Sequence, residues 1–208
     1  MKSVVIGAHL RRDDIEPFAT AIACGDLWLS GLGVDDDQPL GDRELLLRVA
    51  RTRQQLLERA TFIAIRYGFA VHNASEAEAK CLQHVARWRR VLEANAGNVE
   101  MTLKVAAAEA KPRPDRHDFA NGADYLRALH DAAQAADVDP RFRDAVSDLA
   151  EHRWTHRDGR SLECALLVAR AGVARVRERG EQLKRDFPDI PFLLSGPWPL
   201  EAFADEHE

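Results

Sequence analysis

Residues 151–170 read EHRWTHRDGRSLECALLVAR, two β-rich arms around Asp158-Gly159. A two-residue type I′ turn needs positive φ at both central positions, and Asp-Gly satisfies that demand well. The stretch therefore predicts a β-hairpin with arms Glu151–Arg157 and Arg160–Arg170. With Arg157 opposite Arg160, Leu162, Cys164, Leu166 and Val168 share a face with Arg153 and Thr155. His152, Trp154 and His156 then face the other way, beside Glu163 and Ala165. On that polar face, Trp154 must be either covered by another element or offered to a partner.

On either side of the hairpin the period is helical. Before it, Phe119, Ala123, Leu126, Leu129, Ala133 and Ala136 trace one helix, and Phe142, Val146 and Leu149 a shorter one after Pro140. After it, Val173, Val176, Leu183 and Phe187 mark a helix that stops before Pro188. Phe192-Leu193-Leu194 then forms a last strand that runs into Gly196-Pro197-Trp198-Pro199. Two prolines hold their neighbours extended around one large aromatic, so Trp198 is expected to anchor this segment on the protein's own body.

Further upstream, Val99, Met101, Leu103 and Val105 alternate with Glu100, Thr102 and Lys104, the pattern of a strand buried on one face. Residues 108–118, with Pro112 and Pro114 and no apolar period, read as a linker. The expected architecture is α+β in two mixed domains, residues 1–110 and 111–208. Within the first, Val4-Val5-Ile6 is a strand, and Ile15, Phe18 and Ile22 suggest a helix opened by Asp13 or Asp14. Leu27–Leu32 is a second strand. From Asp42, Leu45, Leu46, Val49, Leu56, Leu57 and Ala60 make a helix, with Arg48, Arg51, Arg53 and Arg59 mostly outside the apolar stripe. Thr61–Val71 is β-rich, broken at Gly68 by a bulge or close backbone approach. Ser75-x-x-Glu78 reads as a capping box for a helix whose inner face is Ala77, Cys81, Val85, Trp88 and Leu92.

At 208 residues and a formal net charge of −5, the chain can bury a sizeable core and lacks the cationic excess that phosphate backbones require. Its three cysteines, Cys24, Cys81 and Cys164, lie far apart in apolar surroundings and read as buried thiols rather than a metal or redox set. No apolar run reaches the ~18 residues of a spanning helix, and the N-terminus lacks a secretory core. A cytoplasmic protein without membrane partners is expected.

Catalytic patterns are sparse. There is no phosphate loop, nucleophile elbow, dinucleotide fingerprint or zincin helix. His152, His156 and Glu163 are the residues a small enzyme would use. Two residues four apart on a strand are about 13 Å apart, however, and ligands of one zinc each lie about 2 Å from it. The acidic run Asp35-Asp36-Asp37 lacks the glycine and distal glutamate of a calcium loop. The helix over 170–185 is basic enough to suggest a nucleic-acid-associated regulator, but Glu178 and Glu181 interrupt it and no aromatic platform lies near.

Several segments in order resemble the gas vesicle GvpF/GvpL family: Arg66-Tyr67-Gly68, Trp88 with Leu92, Gly97 to Val105, Asn121 to Leu126 with Tyr125, and the terminal Gly196-Pro197-Trp198-Pro199 with Phe203. Leu200 and Glu201 stand where the family usually has Pro-Tyr. The resemblance implies two α+β domains, the second a modified ferredoxin-like arrangement. It also implies a non-enzymatic accessory or minor structural protein, without cofactor, metal or nucleic acid, that binds the main shell protein GvpA and other accessory proteins during gas vesicle nucleation and assembly. Arg66, Tyr67, Gly68, Glu100, Lys104, Tyr125, Trp154, Gly196, Pro197, Trp198 and Pro199 are the candidate partner or domain-interface residues. Arg66, Glu100 and Lys104 could alternatively form an ion network between strands.

Overall fold

A computed structural model describes residues 1–106, 115–134, 138–157 and 161–204. The chain divides into two compact units, Met1–Glu100 with Pro197–Glu208, and Met101–Gly196. The Pro197-Trp198-Pro199 segment lies in the first unit. Most of the expected linker, residues 108–114, lies outside the described residues; Arg116–Asp118 form a 3-10 turn.

The first unit is organised around β1 (Lys2–His9), whose residues 4–9 are all buried. β1 pairs antiparallel with β3 (Leu27–Val34) on one side and with the short β4 (Ile63–Ala64) and β5 (Ala70–Val71) on the other. β2 (Thr20–Cys24) pairs outside β3. The expected helix after Asp13 is absent: only Arg12–Asp14 form a 3-10 turn. The reason lies downstream. Cys24 pairs with Leu27 across Gly25-Asp26, and Gly25 adopts φ +57°, which a side chain would disfavour. That hairpin draws Thr20–Cys24 into the sheet, and Pro17 has no N–H to give a helix.

Two helices complete this unit. In α1 (Arg43–Arg59) the side chain of Asp42 accepts the N–H of Leu45 at 3.0 Å, and Leu45, Val49, Thr52, Leu56 and Leu57 are buried. α2 (Ala74–Ala94) is capped two residues before the expected cap, at Asn73 rather than Ser75. Asn73 accepts the N–H of Glu76 at 2.9 Å, while Glu76 reaches back to the N–H of His72 at 2.7 Å. Asparagine holds a helix start as well as serine does, and Asn73 has Glu76 three residues on, so it takes the role assigned to Ser75.

The second unit carries α3 (Gly122–Gln134), α4 (Pro140–Ser147), β7 (Glu151–Arg157), β8 (Ser161–Ala169), α5 (Val173–Asp186) and all but the outermost residues of β6 (Asn98–Ala106) and β9 (Phe192–Trp198). Its sheet order, β7-β8-β6-β9, is that of a ferredoxin-like β-α-β-β-α-β unit with a second helix in the first crossover. Met101, Leu103 and Val105 meet Phe142, Val146, Leu162, Cys164, Leu166, Val176 and Leu183 in one core. Phe187 meets Phe142 edge to face, with centroids 5.3 Å apart.

The hairpin register differs from expectation by one residue. Arg157 pairs with Ser161, Trp154 with Cys164 and His152 with Leu166; the turn residues 158–160 lie outside the described set. Three residues separate the paired ends instead of two, and a one-residue slip exchanges the faces. His152 and Trp154 therefore share the face of Leu162, Cys164 and Leu166, while Arg153 and Thr155 join Glu163 and Ala165. Trp154 is covered: it packs on the core, and the Arg143 guanidinium lies 5.2 Å from its ring centroid.

Candidate functional site

A cleft of about 630 Å³ opens in the first unit. One wall is a face of α2. Lys80, His84, Arg87 and Trp88 recur at i, i+4, i+7 and i+8, the spacing that brings side chains to one side of a helix. The other wall is the chain from Ile63 to Tyr67 with Phe69, which leaves β4 and turns at Gly68 (φ +97°). Arg53 of α1 enters from a third direction, and Glu201 and Ala204 close the end.

The C-terminal segment is held there by backbone and by one buried acid. Leu200 bridges Ile63 in parallel, donating to the carbonyl of Phe62 at 2.9 Å and accepting from Ala64 at 3.0 Å. Glu100, 4% exposed, accepts the backbone N–H groups of Glu201 (2.8 Å), Ala202 (3.0 Å) and Phe203 (2.7 Å). Burial raises its pKa above the ordinary carboxyl range, and the three N–H donors pull the other way.

The cleft is cationic and aromatic. Arg53 donates to the carbonyl of Ile65 at 2.6 Å, and burial lowers its pKa while the charge of Glu201 partly offsets that. Lys80 pairs with Glu76 at 2.7 Å and sits 5.5 Å from the centroid of Phe69. His84 stacks on Trp88 with centroids 5.1 Å apart. The buried Nε atoms of Arg53 and Arg87 have no hydrogen-bond acceptor among the described residues. Neither Arg66, which is exposed, nor Arg87 forms an ion pair with a described carboxylate. Among the described lining residues, four cations thus face one carboxylate, Glu201, in a chain whose net charge is −5.

Of the residues singled out in the sequence, Arg66 and Tyr67 line this cleft, and Tyr67 donates its hydroxyl to the carbonyl of Leu40. Glu100 lies behind it, under the C-terminal segment. Lys104 pairs instead with Glu163 at 2.7 Å, so Arg66, Glu100 and Lys104 form no common ion network. Tyr125 rests against Phe119 at 5.9 Å in the second unit. Gly196 adopts φ +115°, and its carbonyl accepts from Arg177 at 2.7 Å. Trp198 is 48% exposed, whereas Leu200, Phe203 and Ala204 are buried. These three residues, not Trp198, anchor the segment.

Of the residues in the catalytic alternative, His152 and Glu163 do not meet. His152 lies against Ser147 Oγ (3.2 Å) and the carbonyl of Ala150 (3.3 Å), on the opposite face from Glu163. The side chain of His156 lies outside the described residues. Among the described residues no group of three His, Cys, Asp or Glu side chains is placed to hold a metal ion, and no helix is long and apolar enough to cross a membrane. Cys24, Cys81 and Cys164 are free and buried; burial pushes the thiols of Cys24 and Cys164 up to about 12. On the basic helix, Lys184 pairs with Glu181 (2.7 Å) and Arg185 donates to Gln182 (2.8 Å).

Sequence reading missed Arg53, Lys80, His84 and Arg87 as a set. For the residues of α2 the signal is the basic and aromatic i, i+4, i+7, i+8 recurrence, hidden because Trp88 also fits the apolar period of that helix.

Comparison with known proteins agrees with this architecture. The solved structure of gas vesicle protein GvpF from Microcystis aeruginosa superposes with a TM-score of 0.73 at 12% identity, over 99% of this chain and 99% of that one. GvpF from Anabaena sp. PCC7120 gives 0.70 at 14% identity, over 100% and 98%. At such identities the likeness speaks for the fold. A search of curated proteins finds no match. The family profile described as gas vesicle synthesis protein GvpL/GvpF matches residues 19–205, nearly the whole length of both units, and the chain therefore belongs to the gas vesicle GvpL/GvpF family.

Proposed function

We propose that this protein is a non-enzymatic accessory or minor structural component of gas vesicles that binds the main shell protein GvpA, alongside other accessory proteins, during nucleation and assembly. The observation that carries this reading is the family match over residues 19–205. Two features support a binding role over catalysis. His152 and Glu163, which could have acted together, lie on opposite faces of a hairpin, and the cleft described above is lined by guanidinium groups and rings rather than by a nucleophile beside a base. Work at the vesicle from the cytoplasmic side follows from the same reading.

The test is genetic. Deleting the gene in a host that makes gas vesicles should abolish or sharply reduce vesicles seen by electron microscopy, and the intact chain should restore them. Normal vesicle number and shape after clean deletion would contradict the proposal.

A further inference from the structure

We propose that the cleft between α2 and the 63–69 segment is a docking site for an acidic peptide segment of a partner protein, in which carboxylate side chains are gripped by Arg66 and Arg87 and neighbouring apolar side chains rest on Tyr67, Phe69 and Trp88. The proposal deepens the assembly reading and rests on it for the idea of a protein partner. The chemistry of the occupant is argued from the cleft itself.

Charge comes first. Arg53, Arg66, Lys80 and Arg87 converge on a space that contains one carboxylate among the described residues, Glu201. Lys80 is already paired with Glu76, and Arg53 is committed to the carbonyl of Ile65. Arg66 and Arg87 remain without an acid partner among the described residues, and the Nε of Arg87 is buried with no acceptor. Guanidinium forks match carboxylates in two-point geometry.

The distribution of donors favours a peptide over a phosphate group. Phosphate sites characteristically gather backbone N–H groups at a helix start or a nest. Here α2 offers the middle of its length, from Lys80 to Trp88, and the cations come from three separate elements with aromatic surface among them. That arrangement suits a segment with acidic and apolar side chains in turn. The chain shows the acidic half of such a fit within itself: Glu201 lines the cleft, and its charge acts on Arg53.

The experiment measures fluorescence anisotropy of a fluorescein-labelled ten-residue peptide of alternating Glu and Leu, titrated with the full chain at physiological salt. Saturable binding is expected, weakened tenfold or more by Arg66→Glu and by Arg87→Glu, with circular dichroism confirming that both variants are folded. Arg48→Glu, on the exposed side of α1, should leave binding unchanged, and a peptide with Lys in place of Glu should not bind. Equal binding by the Arg66 and Arg87 variants, or by the Lys peptide, overturns the proposal. So does displacement of the peptide by submillimolar inorganic phosphate, which would make this a phosphate site. If binding emerges only after Asp205, Glu206 and Glu208 are neutralised to amides, the cleft belongs to the chain's own C-terminal residues and the proposal is also wrong. The assay contains no shell protein, so it can fail while the assembly reading stands, and the reverse.

Discussion

The carboxylate of Glu100 accepts the backbone N–H of Phe203 at 2.7 Å across 103 positions of sequence. Together with the bonds from Glu201 and Ala202, this fastens the C-terminal segment into the first unit. Glu100→Gln keeps the shape but turns one acceptor oxygen into a donor facing an N–H. Loss of a charge-assisted acceptor for buried donors should cost about 1–3 kcal/mol, read as a lower urea midpoint. An unchanged midpoint would mean that the segment is held by Leu200 and Phe203 alone.

His9 is fully buried, with Nε2 3.0 Å from Ser30 Oγ and its ring stacked on Phe62. Burial lowers its pKa from 6.5 to about 3. In the folded state it stays neutral through the window in which the unfolded chain takes up a proton. Its contribution is therefore fully present above pH 6.5 and is lost as pH falls toward 3, at up to about 1.4 kcal/mol per pH unit. Urea unfolding at pH 7 and pH 5 should show that fall, and His9→Leu should flatten it by roughly one proton. An unaltered slope in the variant would place the titration elsewhere.

Gly7 sits in β1 where a Cβ would collide with the Phe62 ring and come within 2.9 Å of the carbonyl of Ile63. That ring is itself fully buried against His9. Gly7→Ala should destabilise by about 1–3 kcal/mol through overpacking, measured by thermal or urea unfolding. A neutral result would show that Phe62 can move aside.

Trp198 is half exposed, so Trp198→Ala should change stability by less than about 1 kcal/mol, well short of the ~3–5 kcal/mol of a buried ring. If the ring is a partner contact, the same variant loses shell-protein binding. A large drop in melting temperature would return Trp198 to the role of internal anchor.

Much of the architecture was legible because local signals agreed with the tertiary outcome. The helix from Asp42 forms, Val99, Met101, Leu103 and Val105 are buried, and Val176 and Leu183 turn inward, all as their spacing predicts. The failures have one character: long-range pairing decided what local pattern left open. Thr20–Cys24 could follow a helical period until β3 offered it a partner. The 151–170 hairpin could close over two residues or three, and that choice moved Trp154 from the polar face to the core. Glu100 looked like an outward position on an alternating strand, because nothing near it in sequence announced three amides from positions 201–203. The cleft was legible only in Arg66 and Tyr67. Its remaining cations come from α1 and α2, and only the fold makes them neighbours.

The most direct measurement of the central claim is the binding of the purified chain to a GvpA-type shell protein, beside duplex DNA as a control, at physiological salt. The account predicts specific, saturable capture of the shell protein and no appreciable hold on DNA, in keeping with a net charge of −5. Tight, salt-sensitive binding to DNA with no interaction with the shell protein would contradict it.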